Sequence, residues 1–181
     1  GGVAVFFAGG MGSHRPVAGA SGFEGTRKMG RALAEAVCRA LPDVVLTNRV
    51  VFGVQALEVA LPPLQVRLSD GWRLRPYVAR RLLETRPDVL LQVVRLGNAL
   101  WISTPCDFSG ELALDLKATA ARRGMAAAVT SFNGDYVGYV IPVKYYGFAG
   151  YEPRTMSFFD PQLPELFVAV LGELTGALAG R

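Results

Sequence analysis

A single histidine and two cysteines are all that this chain holds of the side chains that grip transition metals most tightly. Cys38 and Cys106 show no C-x-x-C spacing, so they build neither a metal cage nor a disulfide framework. A catalytic zinc takes three protein ligands, and His14 alone cannot supply them. Long apolar runs are missing as well. The longest stretches, 88–94 and 166–171, are interrupted or short beside the roughly 20 residues that span a bilayer, so no transmembrane segment is expected. No basic n-region followed by an apolar h-region opens the chain, so no signal peptide is read. Runs of one charge are absent too, and the excess of +4 is mild. Its densest cluster is Arg73, Arg75, Arg80, Arg81 and Arg86, at helical spacing around Pro76. That cluster could face an anionic surface or a phosphate, although a solvated helix face is the commoner use of such a pattern. Basic residues do not alternate with aromatics as they do in single-strand binders, so nucleic acid is not an expected partner.

What is present points to a packed domain. An apolar fraction of 51% against a charged fraction of 19% excludes disorder, and 181 residues suffice for one domain or the larger part of one. No repeat, low-complexity tract or linker interrupts the chain, which reads as a single domain portion over 1–181. The first residues, Gly1-Gly2-Val3-Ala4-Val5-Phe6-Phe7-Ala8, read as a strand with no initiator Met. The expectation is that an upstream segment has been cut off, processed away or left out.

Hydrophobic period and punctuation place the elements. Residues 3–8 read as a buried strand and 9–22 as a loop. Ser21 with Glu24 three positions on forms a capping box opening a helix to about Leu41, with Met29, Leu33, Ala36, Val37 and Ala40 inward. Cys38 is read on that apolar face, as a small core residue. Strands are expected at 44–52, 54–60 and 64–68, and a short helix over 74–84. Strands 88–95 and 98–104 flank Gly97-Asn98, a dipeptide suited to a tight hairpin turn. A helix from about 110 to Arg123 buries Leu112, Leu116 and Ala120, and a strand at 126–132 follows. Asp160 and Pro161 read as N-cap and first residue of a last helix with a stripe of Leu166, Phe167, Val170, Leu171, Leu174 and Leu178. Interleaved helices with strands in pairs predict an α/β (α+β) fold, a mixed, partly antiparallel sheet covered by helices.

Three loops at strand ends become site candidates: 9–16, 105–110 and 133–152. The last is the most informative. Tyr136, Tyr139, Tyr145, Tyr146 and Tyr151, five of the six tyrosines, fall within it. A buried phenol without a partner is costly, so such crowding means either hydroxyls aimed at a ligand or rings packed with their hydroxyls at the rim. Asp107, after Pro105, could be a metal ligand or general base, or the N-cap of the following helix. Solvent exposure is the expected state of His14. Ser13 beside it makes no catalytic triad, because neighbours in an extended loop point apart and no acid is fixed by the spacing.

A family resemblance joins these loops. The chain resembles the C-terminal part of the catalytic domain of the neutral/alkaline (non-lysosomal) ceramidases. Val3–Ala8, Gly12–Pro16 and Phe23-Glu24 with Gly30-Arg31-Ala32-Leu33-Ala34 follow the order of that family's strand, Gly-Asp-x-Ser/Asn-Pro loop and helix. Leu57–Pro62 resembles its Pro-Leu strand, and Arg95-Leu96-Gly97-Asn98 through Thr104-Pro105 resembles its "R-L-G-D-L-x-L-V-G-x-P" run. Asn133-Gly134-Asp135-Tyr136-Val137-Gly138-Tyr139-Val140, Tyr146 and Tyr151-Glu152 resemble "N-x-Y-x-G-Y-V-x-T-x-E-x-Y…Y-E", without a gap from Gly138 to Tyr151.

The resemblance implies a zinc amidohydrolase that cleaves ceramide, with metal held by two histidines, a glutamate and a tyrosine. It implies Tyr139 as the metal-binding tyrosine and Tyr151 as a second catalytic hydroxyl. Asp107 stands in the glutamate's place as a metal ligand, one methylene shorter. Ser13, His14, Arg15 and Tyr146 would meet the substrate, a lipid or other N-acyl amide. Three departures stand beside this. Arg15 occupies the family's active-site serine position, Cys106 replaces a glycine, and the zinc histidines belong to sequence upstream of Gly1. Zn2+ is therefore expected only if upstream histidines exist. Two functions stay open: an active ceramidase-like amidase of which this chain supplies part of the site, or a degenerate homologue with a binding or structural role. A third idea makes Cys106 a nucleophile. The family's usual setting is extracytoplasmic or membrane-associated, and oligomeric state is left open.

Overall fold

A computed structural model describes residues 3–17, 19, 21–69 and 71–180. They fall into two compact units, Arg15–Val50 and the remainder, Gly1–His14 with Val51–Arg181.

The smaller unit is built on one helix, α1 (Gly22–Ala40), followed by a 3-10 turn at Leu41–Asp43. Ser21 is its N-cap residue, but the hydroxyl makes no capping hydrogen bond, so the expected box is not closed. The stripe read as inward is open at Leu33 and Val37, both about half exposed. Cys38 is exposed and not a core residue. Helical geometry gives the reason: it stands seven residues after Arg31 and eleven after Arg27, on the charged arc of the wheel.

In the larger unit four strands form one sheet in the order β1-β2-β3-β5: β1 (Phe52–Ala60), β2 (Asp88–Leu96), β3 (Ala99–Ser103) and β5 (Ala126–Thr130). β1 and β3 run antiparallel to β2, and β3 runs parallel to β5, so the sheet is mixed as expected. The β2–β3 hairpin turns at Gly97, whose φ of 63° lies in the left-handed region that glycine enters without strain. A second, two-stranded sheet pairs β4 (Asp107–Phe108) in parallel with β6 (Tyr139–Val140).

Helices α3 (Gly110–Ala121) and α4 (Leu163–Ala179) cover one face of the large sheet, and α2 (Pro76–Leu83) contributes buried Ala79. Leu91, Val93, Leu100, Ile102 and Val129 point into this core, where Leu116, Phe167, Leu171 and Leu178 meet them. On the other face Phe52, Val54, Leu90 and Leu96 are exposed.

Several expected elements differ. Residues 3–8 form no strand. The Ala8 carbonyl accepts from the Ser131 amide at 2.9 Å, and Phe7 packs edge-on against Trp101 at 4.5 Å. Gly1 and Gly2, read with that strand, lie outside the described residues. Residues 44–51 and 64–68 are not strands either: Val45 and Leu46 are almost fully exposed, and the second stretch makes isolated bridges from Leu64 to Phe159 and from Arg67 to Arg73. α4 begins at Leu163, after a turn in which Asp160 Oδ1 accepts from the Gln162 amide, so Asp160 and Pro161 precede the helix, and Leu166 is exposed.

Candidate functional site

Because β3 and β5 are parallel, the loops that follow them leave the same end of the sheet, the place where open sheets present ligand sites. Backbone hydrogen bonds tie the two loops together. The Asn133 amide donates to the Thr104 carbonyl, Val137 to Pro105 and Asp107 to Gly138, each at 2.9 Å. Gly138 permits that approach, since its φ is 79° and a Cβ there would overlap the Met156 carbonyl. The result sets Asp107 opposite Tyr139 in the β4–β6 register.

Asp107 is 7% exposed. Burial pushes its carboxyl above the ordinary value, and a hydrogen bond from the Tyr136 hydroxyl to Oδ2, 2.8 Å long, partly offsets this. Tyr136 is in turn held protonated far beyond the ordinary phenol range, first by burial and then by that bond to Asp107. Tyr139 is shifted upward by burial, by Asp107, by Tyr151 and by Glu152. Tyr139 and Tyr151 meet edge to face with ring centroids 5.8 Å apart. Tyr151 opens a single wide turn, Tyr151–Met156, of π-helical form, a form frequent at functional sites. One carboxylate and three phenols from separate stretches therefore converge.

The 9–14 loop closes one side. The Gly12 amide donates to the Phe108 carbonyl at 2.9 Å, and Ser13 Oγ accepts from the Gly110 amide at 3.0 Å. Ser131 donates to the Gly9 carbonyl at 2.7 Å. His14 is exposed, its Nδ1 is 2.9 Å from the Gly10 carbonyl, and its ring lies where a Cβ on Gly110 would be. Arg15 is exposed and falls in the smaller unit. Tyr146 is buried, with its hydroxyl donating to the Phe159 carbonyl. Arg67 lies over the Tyr146 ring, 4.2 Å from its centroid, and donates to the Tyr146 and Pro153 carbonyls on either side of Tyr151.

Two alternatives close here. Asp107 is not the cap of α3: Ser109 is, with Oγ accepting from the Glu111 amide at 3.3 Å. Cys106 is fully buried, and that burial raises its thiol far above the range in which a thiolate forms, so the nucleophile idea is overturned. Tyr136 is the residue that sequence reasoning missed. It was visible in the Asn133–Val140 motif, but nothing local shows that its hydroxyl reaches a carboxylate 29 positions away.

No family model matches the sequence, and no curated protein matches it. Among solved structures, neutral ceramidase from Pseudomonas aeruginosa superposes with a TM-score of 0.64 over 88% of this chain, at 15% identity. A ceramidase complexed with C2 overlaps 54% of it at 18% identity, with a TM-score of 0.48. The chain has a neutral ceramidase-like fold, and it spans about a third of the length of the Pseudomonas enzyme (33%).

Does the assembled donor set fit zinc? Among the described residues no group of three His, Cys, Asp or Glu side chains could hold a metal. Asp107 offers one carboxylate whose Oδ2 is already bonded, and burial together with Asp107 favours the protonated form of Tyr139, whereas a phenol ligates as phenolate. These residues alone do not make a zinc site. What they do make is a rim of phenolic hydroxyls around a shielded carboxylate.

Proposed function

We propose that this chain carries one wall of a ceramidase-type amide-hydrolase site, acting on an N-acyl amide of a lipid amine. The observation that supports it best is the meeting of Asp107, Tyr139 and Tyr151, the residues matched to the family's motifs, at one end of a ceramidase-like fold. In this reading the Tyr139 and Tyr151 hydroxyls donate to the amide carbonyl oxygen as negative charge develops on it, and burial together with Asp107 keeps the Tyr139 proton in place. Asp107 orients the site through Tyr136 and supplies its negative charge. Ser13 and His14 border the substrate on the side of the 9–14 loop, with Arg15 following them in sequence. Zinc, as in the family's chemistry, requires further ligands from polypeptide outside these 181 residues.

The competing reading, an inactive ceramidase-like domain with a binding or structural role, is favoured by Arg15 in the serine position and by the incomplete donor set. One experiment separates them. The protein, with any flanking sequence its gene encodes, is assayed for metal content and for release of fatty acid from N-acyl amides. Active protein should lose at least about a hundredfold in kcat on Tyr139→Phe, as when an oxyanion donor is removed. Absence of both hydrolysis and stoichiometric metal would leave the inactive reading.

A further inference from the structure

Phe132 has a backbone that its side chain does not suit. Its φ is 62°, in the left-handed region that is a real outlier for a bulky residue, and glycine would occupy it at less cost. The surrounding bonds hold it there. The Ser131 amide donates to Ala8, the Phe132 amide to Cys106 and the Asn133 amide to Thr104. The Asn133 side-chain Nδ2 donates to the Thr130 carbonyl and hydroxyl, at 2.8 and 2.9 Å, and to the Ser131 carbonyl at 3.0 Å. Strain of this kind, over-determined by its neighbours, collects at ligand clamps and active sites.

The ring is not spent on the core, since Phe132 is 46% exposed. It lies beside Tyr136, with centroids 6.0 Å apart and planes tilted by 30°, and Tyr136 is the residue whose hydroxyl holds Asp107. Its own amide is bonded to the residue preceding Asp107. An exposed aromatic is fixed at the rim of the carboxylate–phenol cluster, in a conformation costly to keep, with no buried role to account for it.

We propose that Phe132 is a specificity-determining residue: its ring forms the apolar wall against which the hydrocarbon chain of an N-acyl amide lies, with the amide turned toward Asp107 and the phenols. This rests on the function proposed above for the substrate class, but not on catalysis. The wall acts on chain length, because each buried methylene adds to affinity while the polar head is unchanged.

The test is equilibrium dialysis of N-hexanoyl- and N-dodecanoyl-ethanolamine, below their micelle concentrations, against wild type and the variants F132G, F132N and F132Y. Glycine and asparagine both accept the left-handed backbone, so the turn survives without the ring. Wild type should bind the dodecanoyl amide more tightly than the hexanoyl one. F132G and F132N should weaken the longer ligand by roughly tenfold and the shorter one far less, and F132Y should restore the chain-length preference. The Tm of F132G should stay within a few degrees of wild type, as relief of strain offsets loss of the ring pair. Equal losses for both ligands, no loss, no binding by wild type, or a large fall in Tm would each overturn the proposal. Fatty-acid release is measured separately: chain-length-dependent binding without hydrolysis removes the catalytic reading and leaves the wall standing.

Discussion

Two carboxylates four positions apart, Asp107 and Glu111, live under opposite physics. Asp107 is buried on β4 opposite β6, its acid strength is lowered by desolvation, and its hydrogen-bond donor is a phenol, Tyr136. Glu111 stands in the first turn of α3 with its side chain partly open to solvent. Its pKa is lowered, first by the hydrogen bond from Lys144 and also by the Tyr145 hydroxyl 3.2 Å away. Sequence makes the two look alike, as acids at the start of one helix. Burial and partner decide which is a solvated ion pair and which is a charge stored at a site. Holding Asp107 costs stability, and the surrounding loops are bonded densely enough to bear it.

The sharpest way to break the difference is to pull apart the ladder that buries Asp107. Gly138 accepts from the Asp107 amide, and any side chain there meets Met156 and Phe158 while forcing a left-handed backbone. Gly138→Ala should destabilise the protein by about 3 kcal/mol or more in urea unfolding, from strain plus overlap. Gly134 is the control. Its φ is 81°, but a Cβ there meets nothing within 4 Å, so Gly134→Ala should cost only the ~1 kcal/mol of left-handed strain. Equal costs at the two positions would mean that the close approach is not what seals the site.

A subtler cut removes the phenol and leaves the carboxylate. Tyr136→Phe deprives Asp107 Oδ2 of its donor and should cost about 1–3 kcal/mol near neutral pH, the penalty of a buried acceptor left unmade. The pH dependence carries a sign. A carboxyl whose folded pKa is raised binds its proton more tightly in the folded state, so stability grows as pH falls through that pKa. Since Tyr136 holds the Asp107 pKa down, the variant should begin to gain stability at a higher pH than wild type and should gain more. Unfolding measured between about pH 3 and pH 6 with the two curves parallel would sink this account.

What the sequence disclosed divides along the same line between local and distant. The β2–β3 hairpin was legible because Gly97-Asn98 writes its own turn, and α3 and the later turns of α4 because Leu112, Leu116, Phe167 and Leu171 repeat at helical spacing. The loops of the site were legible as loops, and Asp107, Tyr139 and Tyr151 as partners only through a motif resemblance. Residues 44–51 and 64–68 carry strand-like composition, yet a strand exists only where a second strand offers a ladder, and composition cannot show that. The capping of α3 by Ser109 and the Asp107–Tyr136 bond were hidden for a related reason. Each is a choice among several competent side chains, made by backbone geometry that forms only when distant loops meet.

Glu111 supplies the smallest effect and the clearest contrast. Lys144 donates directly to its Oε1, both side chains about half exposed, and Lys144 also lies 5.0 Å from the Tyr145 ring. A carboxyl with a lowered folded pKa contributes stability above its unfolded pKa and loses it as pH falls through the folded one, the reverse of Asp107. Glu111→Gln should therefore produce a slight loss at neutral pH that vanishes in acid. It should shrink further in high salt, because an exposed pair is screened while the Asp107–Tyr136 bond is not. Unfolding midpoints of Glu111→Gln and Tyr136→Phe, compared at low and high ionic strength, check both. Salt should narrow the gap between Glu111→Gln and wild type and leave that of Tyr136→Phe in place, since what separates these acids is access to water rather than their charge.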